Sequence, residues 1–171
     1  MLVEHSQIET AGSGTQDLRR GRVSIPGQAY LLTTTSLFRR PVFTDAEAAR
    51  AIARVHAEPK VWGDSRCLAW VLMPDQWHGL VVLGAEERLE DLMRRFKWTS
   101  ASAVADKFRV NGWLWGRGFH DRALRDDENL RDVARYLVAK PRRVGLVDSL
   151  GDYPYWDAVW LDSPASPAQE F

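Results

Sequence analysis

The chain has 171 residues, and its 23 lysines and arginines are balanced by 23 aspartates and glutamates. A formal charge of zero argues against a generic nucleic-acid coat or a polybasic membrane binder, and 45% hydrophobic residues argue against disorder. Eight tryptophans, six phenylalanines and four tyrosines must be partly core and partly a stacking surface, because rings this large are costly to expose.

In chain order, residues 1–17 are polar and include Gly12, Ser13 and Gly14, which predicts a mobile arm with no basic or apolar leader. Residues 18–161 read as one domain, without repeats or linkers. QAYLLTTTS (28–36) predicts a strand. Thr44 and Glu47 form a capping-box pattern for a helix over 44–58. Ala46, Ala49, Ile52, Ala53 and His56 fall at helical spacing, and Pro59 is read as the stop. RCLAWVLM (66–73) and QWHGLVVL (76–83) predict a hairpin turning at Pro74-Asp75. Cys67 lies in the first of these apolar runs and reads as a buried structural thiol. As the sole cysteine it excludes an intramolecular disulfide or a Cys-rich zinc site.

A long amphipathic helix is predicted over 86–109, then a weak strand over 119–124. A helix capped by Asp126 or Asp127 follows and runs to Ala139, ending near Pro141. Its stripe of Leu130, Val133, Ala134, Leu137 and Val138 has i, i+3, i+4 spacing. SPASPAQEF makes 162–171 a flexible tail. The order β-α-β-β-α-β-α points to an α+β, ferredoxin-like split βαβ plan, an antiparallel sheet with helices packed on one face. No apolar run reaches membrane-spanning length, so a soluble cytoplasmic protein is expected.

Three places carry residues suited to chemistry. Gln76 and His78 project together from a strand while Trp77 points away, which makes half of a divalent-metal site; pattern alone favours an ordinary hydrogen-bonded histidine. Tyr136 lies roughly 130° from the centre of its helix's apolar stripe, with Asp132 one turn before and Lys140 one turn after. Such a line of residues is either a solvated stripe or a tyrosine nucleophile, whose phenol needs a cation or metal beside it. The charge is also uneven. Five arginines (Arg19, Arg20, Arg22, Arg39, Arg40) and no acid occupy 18–44; Arg94, Arg95 and Lys97 share one turn; Arg135, Lys140, Arg142 and Arg143 cluster near the end of the last helix. Interleaved with Trp98, Trp113, Trp115 and Tyr136, these runs suit a phosphate-tracking surface with stacking platforms. The Gly-rich bend GWLWGRGFHDRALR adds Arg117, His120 and Asp121 as ligand contacts or as parts of a structural turn.

LRRGRVSIPGQAYLLTT, RRPVF, AWVLMPDQWHGLVVLG, GFHDRALR, ARYLVAKPRRVGLV and GDYPYWDAVW, in this order, resemble the REP-associated tyrosine transposases, bacterial relatives of the single-tyrosine HUH transposases. The resemblance spans roughly residues 18–161. It implies a ferredoxin-like, nucleoid-associated protein, more readily monomeric than oligomeric, that binds REP-type palindromic single-stranded DNA hairpins. It further implies cleavage of one strand through a 5′-phosphotyrosine, with Mg²⁺ or Mn²⁺ as cofactor. By position, Tyr136 matches the nucleophile and His78 the second histidine of the metal motif. Arg19, Arg20, Arg22, Arg39 and Arg40 match segments lying near the DNA. Arg94, Arg95, Lys97, Trp115, Arg117, His120, Lys140, Arg142 and Arg143 complete the expected DNA contacts.

The chain departs from the family pattern twice. Gln76 stands where the family has its first histidine, a neutral amide and hence a weaker ligand. Lys140 stands where an asparagine can serve as third ligand, and a protonated lysine has no lone pair to donate. Three readings stay open: a weakened metal site, a lysine charge doing part of the metal's work, or a domesticated hairpin-binding protein that does not cleave. A ferredoxin-like interaction domain without a nucleic-acid role is the remaining alternative.

Overall fold

The structure is a computed structural model that describes residues 23–161; the expected arm (1–17), the first residues of the expected domain with Arg19, Arg20 and Arg22, and the tail from 162 lie outside them. β1 (Ala29–Thr35) is built from four apolar residues and then three threonines, and strand alternation turns Tyr30, Leu32 and Thr34 into the protein and leaves Leu31, Thr33 and Thr35 half-covered on the other face. Helix α1 (Ala46–Val55) is shorter than the expected 44–58, and its cap lies one residue later than Thr44. Asp45 is its cap, accepting from the backbone N–H of Glu47 and Ala48, while the Thr44 hydroxyl donates back to Pro41. A carboxylate is the better acceptor at a positive helix end. Pro59 opens the short helix α2 (Pro59–Trp62) instead of ending one, because its missing N–H costs nothing in a first turn.

β2 (Arg66–Met73) and β3 (Gln76–Val82) form the expected hairpin. α3 (Leu89–Ala103) is shorter than its apolar pattern suggests. At its start, the Asp64 carboxylate accepts from Ala85 N–H at 2.7 Å and Glu87 pairs with Arg95, so these residues form a loop. At its end, Val104 leaves the helix in an extended conformation to bury its side chain. β4 (His120–Ala123) is the weak strand. α4 (Leu130–Val138) is capped by Asn129, not by Asp126 or Asp127. The short helix α5 (Lys140–Arg143) follows with Pro141 in its first turn, and a fifth strand, β5 (Trp156–Ala158), lies beyond the expected order.

The strands pair antiparallel in the order β4-β1-β3-β2-β5. β3 therefore lies between β1 and β2, and β1 between β3 and β4, which is the split βαβ arrangement. The chain forms an α+β fold, as expected. The crossover helices α1 and α3 share one face, where Tyr30, Leu32, Trp70, Leu72, Trp77 and Phe96 join the larger core. α4 differs from expectation by covering the opposite face, where Ala134, Leu137 and Val138 pack on Ala69, Val71 and Leu80. The sheet is apolar on both sides, so a helix on one face alone would leave Val71 and Leu80 in water.

Candidate active site beneath the tyrosine helix

Strand register assembles the site. His78 on β3 stands directly across from Thr33 on β1, and Thr33 stands across from His120 on β4. Directly opposed residues share a face, so His120, Thr33 and His78 form one transverse row on the side covered by α4, with Gln76 two residues from His78 on the same side. Trp77 faces the other way and is wholly buried. Asp121 also points away, sharing its face with Leu32. The two histidines are separated by two strand spacings, roughly 10 Å, too far to share one ion directly.

Both ring nitrogens of His78 are engaged. Nδ1 lies 2.8 Å from the Thr33 hydroxyl, and Nε2 lies 2.8 Å from the Lys140 ammonium nitrogen. With Lys140 protonated, Nε2 accepts and Nδ1–H donates to Thr33. Burial, followed by the positive charges of Lys140, Arg143 and Arg39, lowers the His78 pKa to about 3. Burial and Arg143 also lower that of Lys140, while Asp75 opposes them. Asp75 is itself paired with Arg39 at 3.1 Å. Three cations thus face one carboxylate around a neutral imidazole.

Tyr136 belongs to α4, the helix laid over this face, and is 66% exposed, away from the stripe that packs. The Arg143 guanidinium lies over its ring, 3.7 Å from the centroid, and donates to the Tyr136 carbonyl. Lys140 opens α5, four residues beyond Tyr136. The junction of α4 and α5 thus puts Arg143 against the tyrosine and Lys140 against the strand histidine.

The residues around His78 do not fit a divalent cation as arranged. Whichever nitrogen carries the proton, the contact with Lys140 leaves Nε2 no lone pair for a metal. A dication placed on Nε2 would lie within about 4 Å of the ammonium, a repulsion of roughly 8 kcal/mol at an effective dielectric constant near 20. Among the described residues, no three His, Cys, Asp or Glu side chains gather closely enough to hold a metal.

The remaining expected contacts divide. Arg39, Arg117, His120, Arg142 and Arg143 are exposed, and Arg94 is exposed beside its partner Asp91. Arg40 is half-buried and donates to the Phe108 carbonyl. Trp115 corrects the expectation: it is buried against Phe43 and Phe96, and its indole N–H donates to Ser100. Arg95 is occupied by Glu87 and the Val61 carbonyl. Lys97 holds the carbonyls of Gly116 and Gly118, fixing the bend before β4. Helical periodicity sends three residues of one turn in different directions, so a basic run is not a basic face.

Two features escaped the sequence reading. Phe38 is 78% exposed in a turn where it and Arg39 both adopt positive φ, at 57° and 51°. The RRP turn signalled a bend here, but nothing in it signalled left-handed backbone at two non-glycine residues. The second is a groove of about 710 Å³ between α3 and the 111–119 bend, with Arg94 and Arg117 among its lining residues; Trp98 and Trp113, expected as stacking platforms, are exposed and flank it.

The family model described as transposase IS200 like matches residues 26–140. A search of curated proteins finds no match. Among solved structures, a REP-associated tyrosine transposase bound to a REP hairpin is similar with a TM-score of 0.61 and 22% identity, over 79% of each chain. A protein described as a transposase, from Deinococcus radiodurans R1, has a TM-score of 0.50 and 20% identity, over 69% of this chain and 94% of its own.

Proposed function

Because the chain belongs to the IS200-like transposase family, we propose that it binds REP-type hairpins of single-stranded DNA and cleaves or rejoins one strand through Tyr136. The observation that carries this reading is the solvent-facing Tyr136, covered by Arg143 and followed four residues on by Lys140, which contacts His78. The fold likeness to a transposase bound to a REP hairpin supports the choice of DNA.

In the proposed step, the Tyr136 oxygen bonds to the scissile phosphorus and the bond from phosphorus to the 3′ oxygen breaks. The phenol proton is lost, and the departing oxygen gains one to become a 3′-OH. The strand is left as a 5′-phosphotyrosine. The phosphodiester energy is retained in the protein–DNA bond, so the reaction can run backwards to rejoin the strand. Arg143, Lys140 and Arg39 are placed to oppose the charge that builds on the phosphate oxygens. The groove between Trp98 and Trp113 suits unpaired bases flanking the hairpin.

The altered residues at 76 and 140 support a second reading, a hairpin-binding protein that does not cleave. Labelled REP-hairpin single strands incubated with the protein distinguish the two. The first reading predicts hairpin binding and an adduct that survives SDS; binding without an adduct supports the second. Absence of hairpin binding contradicts both.

A further inference from the structure

We infer that the Lys140 ammonium occupies the place of the divalent cation, making this a metal-independent site for a DNA phosphate. The inference rests on the proposed function and supplies its electrostatics. Its geometric basis is the 2.8 Å contact between Lys140 Nζ and His78 Nε2. A metal-ligating histidine presents one nitrogen to the ion and gives the other to a partner that fixes the ring. His78 has that arrangement: Thr33 holds Nδ1, and a cation sits on Nε2. The cation is a covalently tethered ammonium.

The surroundings agree. Arg143 and Arg39 add positive charge, and among the described residues the carboxylate that chiefly opposes them at Lys140 is Asp75, already paired with Arg39. Such a field repels an incoming dication and attracts a phosphodiester. Lys140 has donor hydrogens beyond the one directed at His78, enough to reach phosphate oxygens. The two departures from the family pattern then have one explanation. Once a lysine supplies the charge, a second imidazole at position 76 has no ion to bind, and a neutral glutamine suffices.

The test has two arms. Mn²⁺ is titrated into the full chain without DNA and followed by electron paramagnetic resonance of the free ion. The wild type is expected to bind no stoichiometric Mn²⁺ at His78, whereas the Gln76→His, Lys140→Asn double variant gains a one-to-one site. A wild-type site abolished by His78→Ala would overturn the inference. So would a folded double variant that gains no site, folding being checked by circular dichroism. In the second arm, hairpin binding and adduct formation by the wild type are measured in EDTA and in Mn²⁺. Equal values support the inference, and dependence on Mn²⁺ overturns it. Lys140→Ala is expected to weaken binding about tenfold, with no rescue by added metal; rescue by metal would overturn the inference. The titration contains no DNA, so its failure leaves the proposed function standing. Loss of hairpin binding in every condition would instead remove that function.

Discussion

At the scale of residues, the sharpest contrast is between His78 on β3 and His56 at the end of α1. His78 faces the tyrosine helix, whereas His56 is enclosed in the opposite core. It is stacked on Trp70 at 3.9 Å, accepts from the Trp77 indole at 2.8 Å and pairs with the Ile52 carbonyl at 2.9 Å. Burial lowers its pKa to about 4. Its unfolded value is near 6.5, so the unfolded chain binds the extra proton first. His56 therefore contributes about 3 kcal/mol above that pH, lost as pH falls from about 6.5 towards 4. Thermal unfolding should show a steep loss of stability across that window, with the His56 ring signals still unprotonated at about pH 5.5. A flat profile would contradict this assignment. Gln76, His78 and Tyr136 are legible in the sequence because strand alternation and helical phase decide their directions. Trp115 is not, since a tryptophan in a glycine-rich bend reads the same whether it serves DNA or the core. Lys140 is legible as a departure from the family, but its contact with His78 needs α4 placed over β3.

At the scale of elements, Trp77 and Gly79 show how tightly β3 packs on the face covered by α1 and α3. The Trp77 indole lies across Gly79, where an added Cβ would come within 2.2 Å of the ring. The ring is fully buried and tied to His56, so it has nowhere to move. Gly79→Ala should cost about 1–3 kcal/mol through overpacking, read as a lower denaturant midpoint. An unchanged midpoint would show that the ring has room to yield. The hairpin and the crossover helices are legible because their apolar periods are strong. The face chosen by α4 is not, because its stripe specifies that it packs without specifying where. The three-residue β5 also escapes notice: WDA is too short for an alternation pattern, and its pairing with Ala69, Trp70 and Val71 is a tertiary event.

At the scale of the whole molecule, zero net charge describes the sum and not the surface. Arg94, Arg125 and Arg135 are paired with acids close by, as are the half-buried Arg95 and Glu87. Around His78, by contrast, three cations among the described residues, Arg39, Lys140 and Arg143, are offset chiefly by the carboxylate of Asp75. A protein balanced overall and positive at one site is suited to particular phosphates without coating every strand. No helix among the described residues is long and apolar enough to cross a membrane. Peptide mapping of the trapped adduct decides whether the exposed tyrosine over this site joins itself to DNA. Mass spectrometry of the digested adduct is expected to find the nucleotide on the peptide containing Tyr136, and Tyr136→Phe is expected to bind the hairpin but form no adduct. Nucleotide on any other residue, or an undiminished adduct from Tyr136→Phe, would contradict the role given to Tyr136.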